Sequence, residues 1–184
     1  EPGEVGRCEL VVIAVKAMHT EPAVKNAAPM LGPATLVLPI QNGLGNAERV
    51  AALLGKENLL VGIAEGFGAS VVAPGHVHHH AWEAIHLGEF SGGMTDRLQR
   101  VAEVWRKAGF RVKVHDDIQP VIWGKLMGNV GFSAVCAVTG QRVGQVLSNE
   151  WSWSIVESVV QETFAVARAK KISLPYDDPV RWVK

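Results

Sequence analysis

The first third of the chain alternates between continuous apolar runs and amphipathic segments. The runs LVVIAV (10–15) and TLVLPI (35–40) are rich in β-branched residues, which is typical of strands buried on both faces. The segments at 21–31 and 46–55 predict helices, and the run at 58–68 predicts a third strand. This alternation predicts an α/β fold with a parallel sheet.

The pattern changes in the middle of the chain. Two β-like runs within 68–89 flank Pro74 and Gly75, which predicts an antiparallel hairpin. The amphipathic segment at 95–110 predicts a helix, and a short strand is predicted at 111–115.

From Asp117 onward the pattern is helical, with helices predicted at 118–139 and at roughly 149–171. We place a domain boundary at this change. Residues 1–116 are predicted to form an α/β domain, and residues 117–184 the first part of a helical domain.

Composition narrows the class of protein. Of the 184 residues, 48% are hydrophobic and 20% are charged, which is typical of soluble globular chains, and the formal net charge is zero. A zero balance gives no argument for a nucleic-acid partner. The two cysteines, Cys8 and Cys136, form no CxxC motif, so we expect a reducing, cytoplasmic setting.

No uninterrupted apolar run reaches the roughly 18 residues that span a bilayer, so no membrane partner is expected. The first residues lack the pattern of a signal peptide and the initiator methionine. The chain starts shortly before a buried-looking strand, so we expect it to be a fragment of a longer protein.

The helix predicted at 118–139 carries a line of polar residues. Lys125, Asn129 and Ser133 follow one another at steps of four. At about 100° per residue they fall, with Cys136, within a sector roughly 80° wide. The rest is apolar, which is typical of a buried helix. Either the line faces a ligand, or neighbouring helices satisfy the amide and the hydroxyl while the lysine reaches water.

A second polar group follows the strands. The turn after the second strand holds Asn42, Gly43 and Gly45, and Lys16 ends the first strand run. In open α/β sheets, ligands bind beyond the carboxyl ends of the strands. The turn is not a GxGxxG motif, because Glu48 stands at its last position. An ordinary Asn-Gly turn and a surface lysine remain the alternatives.

Three alternating histidines, His76, His78 and His80, would share one face of a strand. No carboxylate or cysteine at ligand spacing accompanies them, so we predict a polar hairpin face and no metal. G-x-S-x-G and Walker motifs are absent, so neither a serine hydrolase nor a P-loop enzyme is indicated.

The segments VVIAVKA, PIQNGLGN and WGKLMGNVGFSAVCAVTG, in this order, resemble the ketopantoate reductases (2-dehydropantoate 2-reductases). The resemblance implies the latter part of a Rossmann-type NADP-binding domain, followed by an all-helical domain like the C-terminal domain of 6-phosphogluconate dehydrogenase. It implies an oxidoreductase that reduces ketopantoate to pantoate with NADPH, on the route to pantothenate and coenzyme A.

By the same resemblance, Lys125 matches the catalytic lysine, which would act as general acid towards the alkoxide. Asn129 matches the asparagine four residues later, and Ser133 stands where the family usually has a second asparagine. These two positions are assigned to substrate binding, and the serine leaves the substrate open. Glu162 matches a glutamate of the second domain.

The cofactor-binding positions carried over by motif are Lys16, Asn42 and Gly43. The expected partner is a small 2-keto acid, and a homodimer is compatible with the family. Three alternatives remain: a reductase of another 2-keto acid, a non-catalytic nicotinamide-binding module, and a metal-binding hairpin protein.

Overall fold

In this computed structural model, which describes residues 1–184, every strand lies between residues 10 and 115. The chain divides into two units, residues 1–118 and 119–184. The first unit contains α1 (Pro2–Val5), β1 (Leu10–Ile13), α2 (Thr20–Asn26), β2 (Leu36–Pro39), α3 (Asn46–Leu54), β3 (Leu60–Glu65), β4 (Gly68–Ala73), β5 (His76–Ala81), β6 (Ala84–Glu89), α4 (Asp96–Lys107) and β7 (Val112–His115). The second contains α5 (Gln119–Thr139), α6 (Val143–Ser148), α7 (Glu150–Ala169) and α8 (Pro179–Val183).

The sheet of the first unit is mixed, not parallel throughout. β1 and β2 are parallel, and a parallel bridge from Val37 to Leu59 connects β2 to the residue before β3. β3 pairs antiparallel with β6, and β6 pairs parallel with β7. The predicted parallel pairing is found between β1 and β2 and between β6 and β7, but not between β3 and β6, a strand that the pattern did not reveal. The chain leaves β3 through a hairpin and returns at once beside it, and so short a connection joins antiparallel neighbours.

That hairpin is the one predicted from the sequence. β4 and β5 pair antiparallel around Gly75, whose φ of 74° lies in the left-handed region that glycine favours. The two strands pair with each other alone, and nearly all their residues are exposed. Trp82 at the end of the hairpin lies edge-on to Phe110, with ring centroids 6.4 Å apart.

Helices cover the sheet of the first unit from two sides. One apolar cluster joins Val24 of α2 and Val50 of α3 to the strands, and another joins Leu98 of α4 to Leu38 and Leu87. β2 and β6 are almost entirely buried, as expected of strands between two helical layers. β1 is not, because Val12 is 38% exposed.

A buried ion pair attaches α4 to β6. The side chain of Glu89 is 3% exposed, and it accepts hydrogen bonds from Arg97 Nη2 at 2.6 Å and Nε at 2.8 Å. Thr95, the N-cap of α4, donates its hydroxyl to the same carboxylate. Burial alone would raise the pKa of Glu89, but the hydrogen bonds from Arg97 and Thr95 and the charge of Arg97 outweigh it and hold the pKa below its ordinary value.

The second unit is built on the packing of α5 against α7. Val135 of α5 packs with Val156 and Val160 of α7 and with Val146 of α6. No residue of α5 before Ser133 is exposed, so the expected burial is found over the first part of the helix. It does not extend to the last turns, where Val138 is 88% exposed. By length and composition α5 alone passes the test for a membrane span, which core helices of soluble proteins also pass.

Candidate active site

The loops that follow β1 and β2 are joined by hydrogen bonds at the carboxyl edge of the sheet. The backbone N–H of Ile40 donates to the carbonyl of Ile13 at 3.1 Å, which extends the parallel pairing by one residue. Beyond it, Gln41 Nε2 donates to the carbonyl of Val15 at 2.7 Å and to Thr20 Oγ1 at 2.8 Å. One glutamine side chain therefore fixes the second loop to the first.

Lys16 and Asn42 sit on these two loops, so the predicted placement at one edge of the sheet is confirmed. Both side chains are exposed. The turn after Asn42 depends on Gly43 and Gly45, whose φ angles are 87° and 83°. Residues with a side chain rarely adopt such angles, so both glycines are required by the backbone. Gly45 is also the N-cap of α3.

Two further side chains of this turn were missed from the sequence, although they lie in the same PIQNGLGN segment. Asn46 is 4% exposed, and its Nδ2 donates to the carbonyl of Asn42 at 2.9 Å. Its Oδ1 is buried without a hydrogen bond, and so is Oε1 of Gln41. Buried amide oxygens of this kind normally have a donor, so both are suited to accept one from a ligand.

The polar line of α5 lies in the second unit. Lys125 and Asn129 are half-buried and Ser133 is exposed. One turn of helix separates each from the next, so about 6 Å along the axis separates Lys125 from Asn129. The structure thus brings these three residues together on α5, while Lys16, Asn42 and Gly43 belong to the first unit.

The glycines of α5 have different surroundings. A Cβ at Gly124 would lie 3.0 Å from Cη2 of Trp182, and a Cβ at Gly131 would lie 3.1 Å from Cγ1 of Val156. These two glycines allow the close approach of neighbouring segments. A Cβ at Gly128 would meet no atom within 4 Å. The surface of α5 is therefore open at Gly128, three residues after Lys125.

Tyr176 packs against α5 at Gly124. Its ring is stacked on that of Trp182, with centroids 4.7 Å apart. Its hydroxyl is buried without a hydrogen bond, 3.4 Å from the Cβ position of Gly124, which precedes Lys125 in the chain. Burial raises the pKa of Tyr176 to about 12, so the hydroxyl is neutral at physiological pH.

Glu162 is exposed on α7. The residues of α7 that are buried, among them Val156, Val160 and Ala167, lie on the opposite side of the helix at 100° per residue. Within the second unit, Glu162 therefore faces away from α5 and does not join the line of Lys125.

The hairpin histidines form no metal centre. His78 and His80 do share a strand face, with ring centroids 4.5 Å apart, and His80 Nε2 lies 2.7 Å from Ser70 Oγ. No group of three or more histidine, cysteine, aspartate or glutamate side chains is arranged to hold a metal ion.

Comparison with known proteins identifies the family. The family profile described as ketopantoate reductase PanE/ApbA matches residues 1–92, and the profile of its C-terminal part matches residues 117–184. The chain belongs to the ketopantoate reductase family. These matches confirm the predicted fold class, a Rossmann-like domain followed by a helical domain.

Individual relatives agree with this assignment. The 2-dehydropantoate 2-reductase of Mesorhizobium japonicum is 30% identical over an alignment of 192 positions, which covers 94% of this chain and 59% of the relative. The crystal structure of 2-dehydropantoate 2-reductase from Geobacter metallireducens is 31% identical, with a TM-score of 0.88 over 99% of this chain and 62% of that one. The chain thus spans about three fifths of these ketopantoate reductases.

A more distant structure shares the fold alone. D-mandelate dehydrogenase, solved in complex with NADH, superposes with a TM-score of 0.87 at 20% sequence identity, over 96% of this chain and 57% of that one.

Proposed function

We propose that the complete protein is a cytoplasmic oxidoreductase that reduces ketopantoate to pantoate with NADPH. The observation that carries the proposal is the pair Lys125 and Asn129, half-buried on one side of α5 within the segment that matches the family's C-terminal profile. A cation and an amide one helical turn apart can both contact one small keto acid.

The chemistry follows from the residue types. Reduction of a keto carbon by hydride, which a nicotinamide cofactor supplies, leaves negative charge on the carbonyl oxygen. The ammonium of Lys125 neutralises this charge and donates the proton that completes the hydroxyl group. Asn129 and Ser133 offer hydrogen bonds that orient the substrate along the helix.

The residues of the first unit fit a nicotinamide cofactor. Lys16 places a positive charge at the carboxyl edge of the sheet, and Gly43 lets a ligand approach the backbone there. Asn42 holds an exposed amide at the same edge. The buried oxygens of Gln41 and Asn46 accept N–H or O–H donors, which carboxamide and ribose groups carry.

A second candidate is a reductase of a different 2-keto acid. It is favoured by Ser133, which is exposed and shorter than the asparagine usual at this position, and by the open surface at Gly128. A non-catalytic nicotinamide-binding module is less favoured, because such a module has no use for Lys125. Homodimer formation stays a prediction.

The test is steady-state kinetics of the complete protein with ketopantoate and a panel of 2-keto acids, each with NADPH and with NADH. We expect the highest kcat/KM for ketopantoate with NADPH. A higher value for another keto acid would establish the second candidate. Cofactor binding without turnover of any keto acid would overturn both.

A further inference from the structure

A chain of three hydrogen-bonded side chains crosses the sheet of the first unit and is not used by the proposed reaction. His86 Nε2 lies 2.8 Å from Glu65 Oε2, and His86 Nδ1 lies 2.9 Å from His115 Nε2. The two imidazole rings are inclined by only 12°, with centroids 5.0 Å apart. Glu65, His86 and His115 belong to β3, β6 and β7, so these side chains link three neighbouring strands.

The protons of this chain can be assigned from the contacts. The carboxylate of Glu65 can only accept, so His86 Nε2 carries a hydrogen. When both imidazoles are neutral, His86 Nδ1 carries no hydrogen and accepts a hydrogen bond from Nε2–H of His115. One added proton makes His86 an imidazolium that donates in both directions, while His115 moves its hydrogen to Nδ1. A second added proton puts hydrogens on both nitrogens of the 2.9 Å contact, which must then separate.

The residues around the two imidazoles make the binding of a second proton unfavourable. His86 is 4% exposed. Lys113 lies directly opposite His86 in the strand register, and its Nζ is 3.9 Å from Glu65 Oε2. Burial lowers the pKa of His115, and the positive charges of His86 and Lys113 lower it further, against the weaker opposite effect of Asp117 and Glu65.

The contact lies at the end of β7. His115 is the last residue of this strand and pairs with Gly88 of β6. The next residue, Asp116, accepts a backbone hydrogen bond from Gly93 at 2.8 Å. Separation of the two imidazoles therefore acts on the last paired residue before the chain leaves the sheet.

We propose that Glu65, His86 and His115 form a proton-operated latch, which holds the carboxyl end of β7 on the sheet while it carries at most one added proton. A second proton opens it. Because the pKa of His115 is depressed by folding, the stabilisation is complete above its unfolded value of 6.5 and is lost as the pH falls below that value.

The test is amide hydrogen exchange of the complete protein between pH 7.5 and 5, with rates corrected for intrinsic exchange. We expect the protection of the amides of β7 to fall by about tenfold for each unit by which folding depresses the pKa of His115. The amides of β1 keep their protection. In His115→Asn, protection of β7 is lower at pH 7.5 and independent of pH. In Glu65→Gln, which lacks the charge that balances the first proton, the loss of protection with falling pH is steeper.

His19→Asn is the matched control, because His19 is exposed and makes no part of the hydrogen-bonded group Glu65, His86 and His115. We expect this variant to keep the pH profile of the unaltered protein. Flat protection of β7 in the unaltered protein, or an unchanged profile in His115→Asn, would overturn the proposal.

If the variants do not fold, long-range ¹H–¹⁵N spectra of the unaltered protein test the proposal by following the protonation of each imidazole. Two separate titration steps, with His115 protonated last, support the latch, and a single common step refutes it.

Discussion

The Cγ1 atom of Val156 lies 3.1 Å from the position that a Cβ atom would take at Gly131, and Cγ2 of Val160 lies equally close to it. Both valines are fully buried and have no room to move aside. At Gly128, one turn earlier on α5, the same position has no neighbour within 4 Å. Two glycines of one helix therefore serve different purposes.

We expect Gly131→Ala and Gly128→Ala to change stability in opposite directions. Both replacements gain about 1 kcal/mol of helix propensity. Gly131→Ala also overpacks the contact between α5 and α7, which typically costs about 1–3 kcal/mol. Urea unfolding of the 184-residue chain measures the difference, and equal free energies of unfolding would show that α7 yields to the added methyl group.

Removal of Arg97 is expected to destabilise the first unit strongly. Arg97→Met leaves the carboxylate of Glu89 buried without its cation, and loss of one partner of a buried pair costs about 3–5 kcal/mol. Lys25→Met is the control, because it breaks the solvent-exposed pair with Glu21 and is expected to change little. Denaturant midpoints compare the two, and similar small effects would show that water reaches Glu89.

The buried carboxylate of Glu89 also predicts that the stability of the protein falls at acid pH. Folding lowers the pKa of Glu89 from 4.5, so its stabilising contribution is complete above pH 4.5 and is lost as the pH falls below it. Thermal melts at pH 6, 4.5 and 3.5 should show a decline that is shallower in Glu89→Gln, a variant already less stable at pH 6. An equally steep decline in both proteins would assign the acid sensitivity to other carboxyl groups.

Lys125→Ala is expected to lower kcat of the complete protein by about 10² to 10⁴, the usual range of general acid catalysis. Its melting temperature should stay close to that of the parent, because a half-buried lysine contributes no large part of the core. Steady-state kinetics with ketopantoate and NADPH measures the effect. Lys16→Ala, at the sheet edge of the first unit, should lower kcat less. A stable Lys125→Ala protein with kcat within about threefold of the parent, well below the general-acid range, would exclude Lys125 as the acid.

Local patterns allowed much of the fold to be predicted from the sequence. The apolar runs gave β1 and β2, and the helix before Gly55 ends there as expected, with Gly55 at a φ of 81°. β6 was not predicted, because it buries His86 and Glu89, two polar residues that obscure a strand pattern. Their partners lie far away in sequence or on another element, and such pairings are not visible in a local pattern.

In the candidate site, too, features set by local spacing were predictable, and features set by contacts between distant segments were not. The alignment of Lys125, Asn129 and Ser133 follows from the period of a helix, so spacing was enough to predict it. The role of Gln41 was not predictable, because it depends on the distance between two loops. The orientation of Glu162 is decided by which side of α7 packs against α5, and its residue type alone does not reveal that side.

The hairpin of β4 and β5 has a consequence for the behaviour of the protein in solution. Its strands contain no acidic residue, lysine or arginine, and each leaves an outer edge unpaired. Uncharged, exposed β edges are templates for self-association. The hairpin is therefore the part of the first unit at which separate molecules can pair edge to edge.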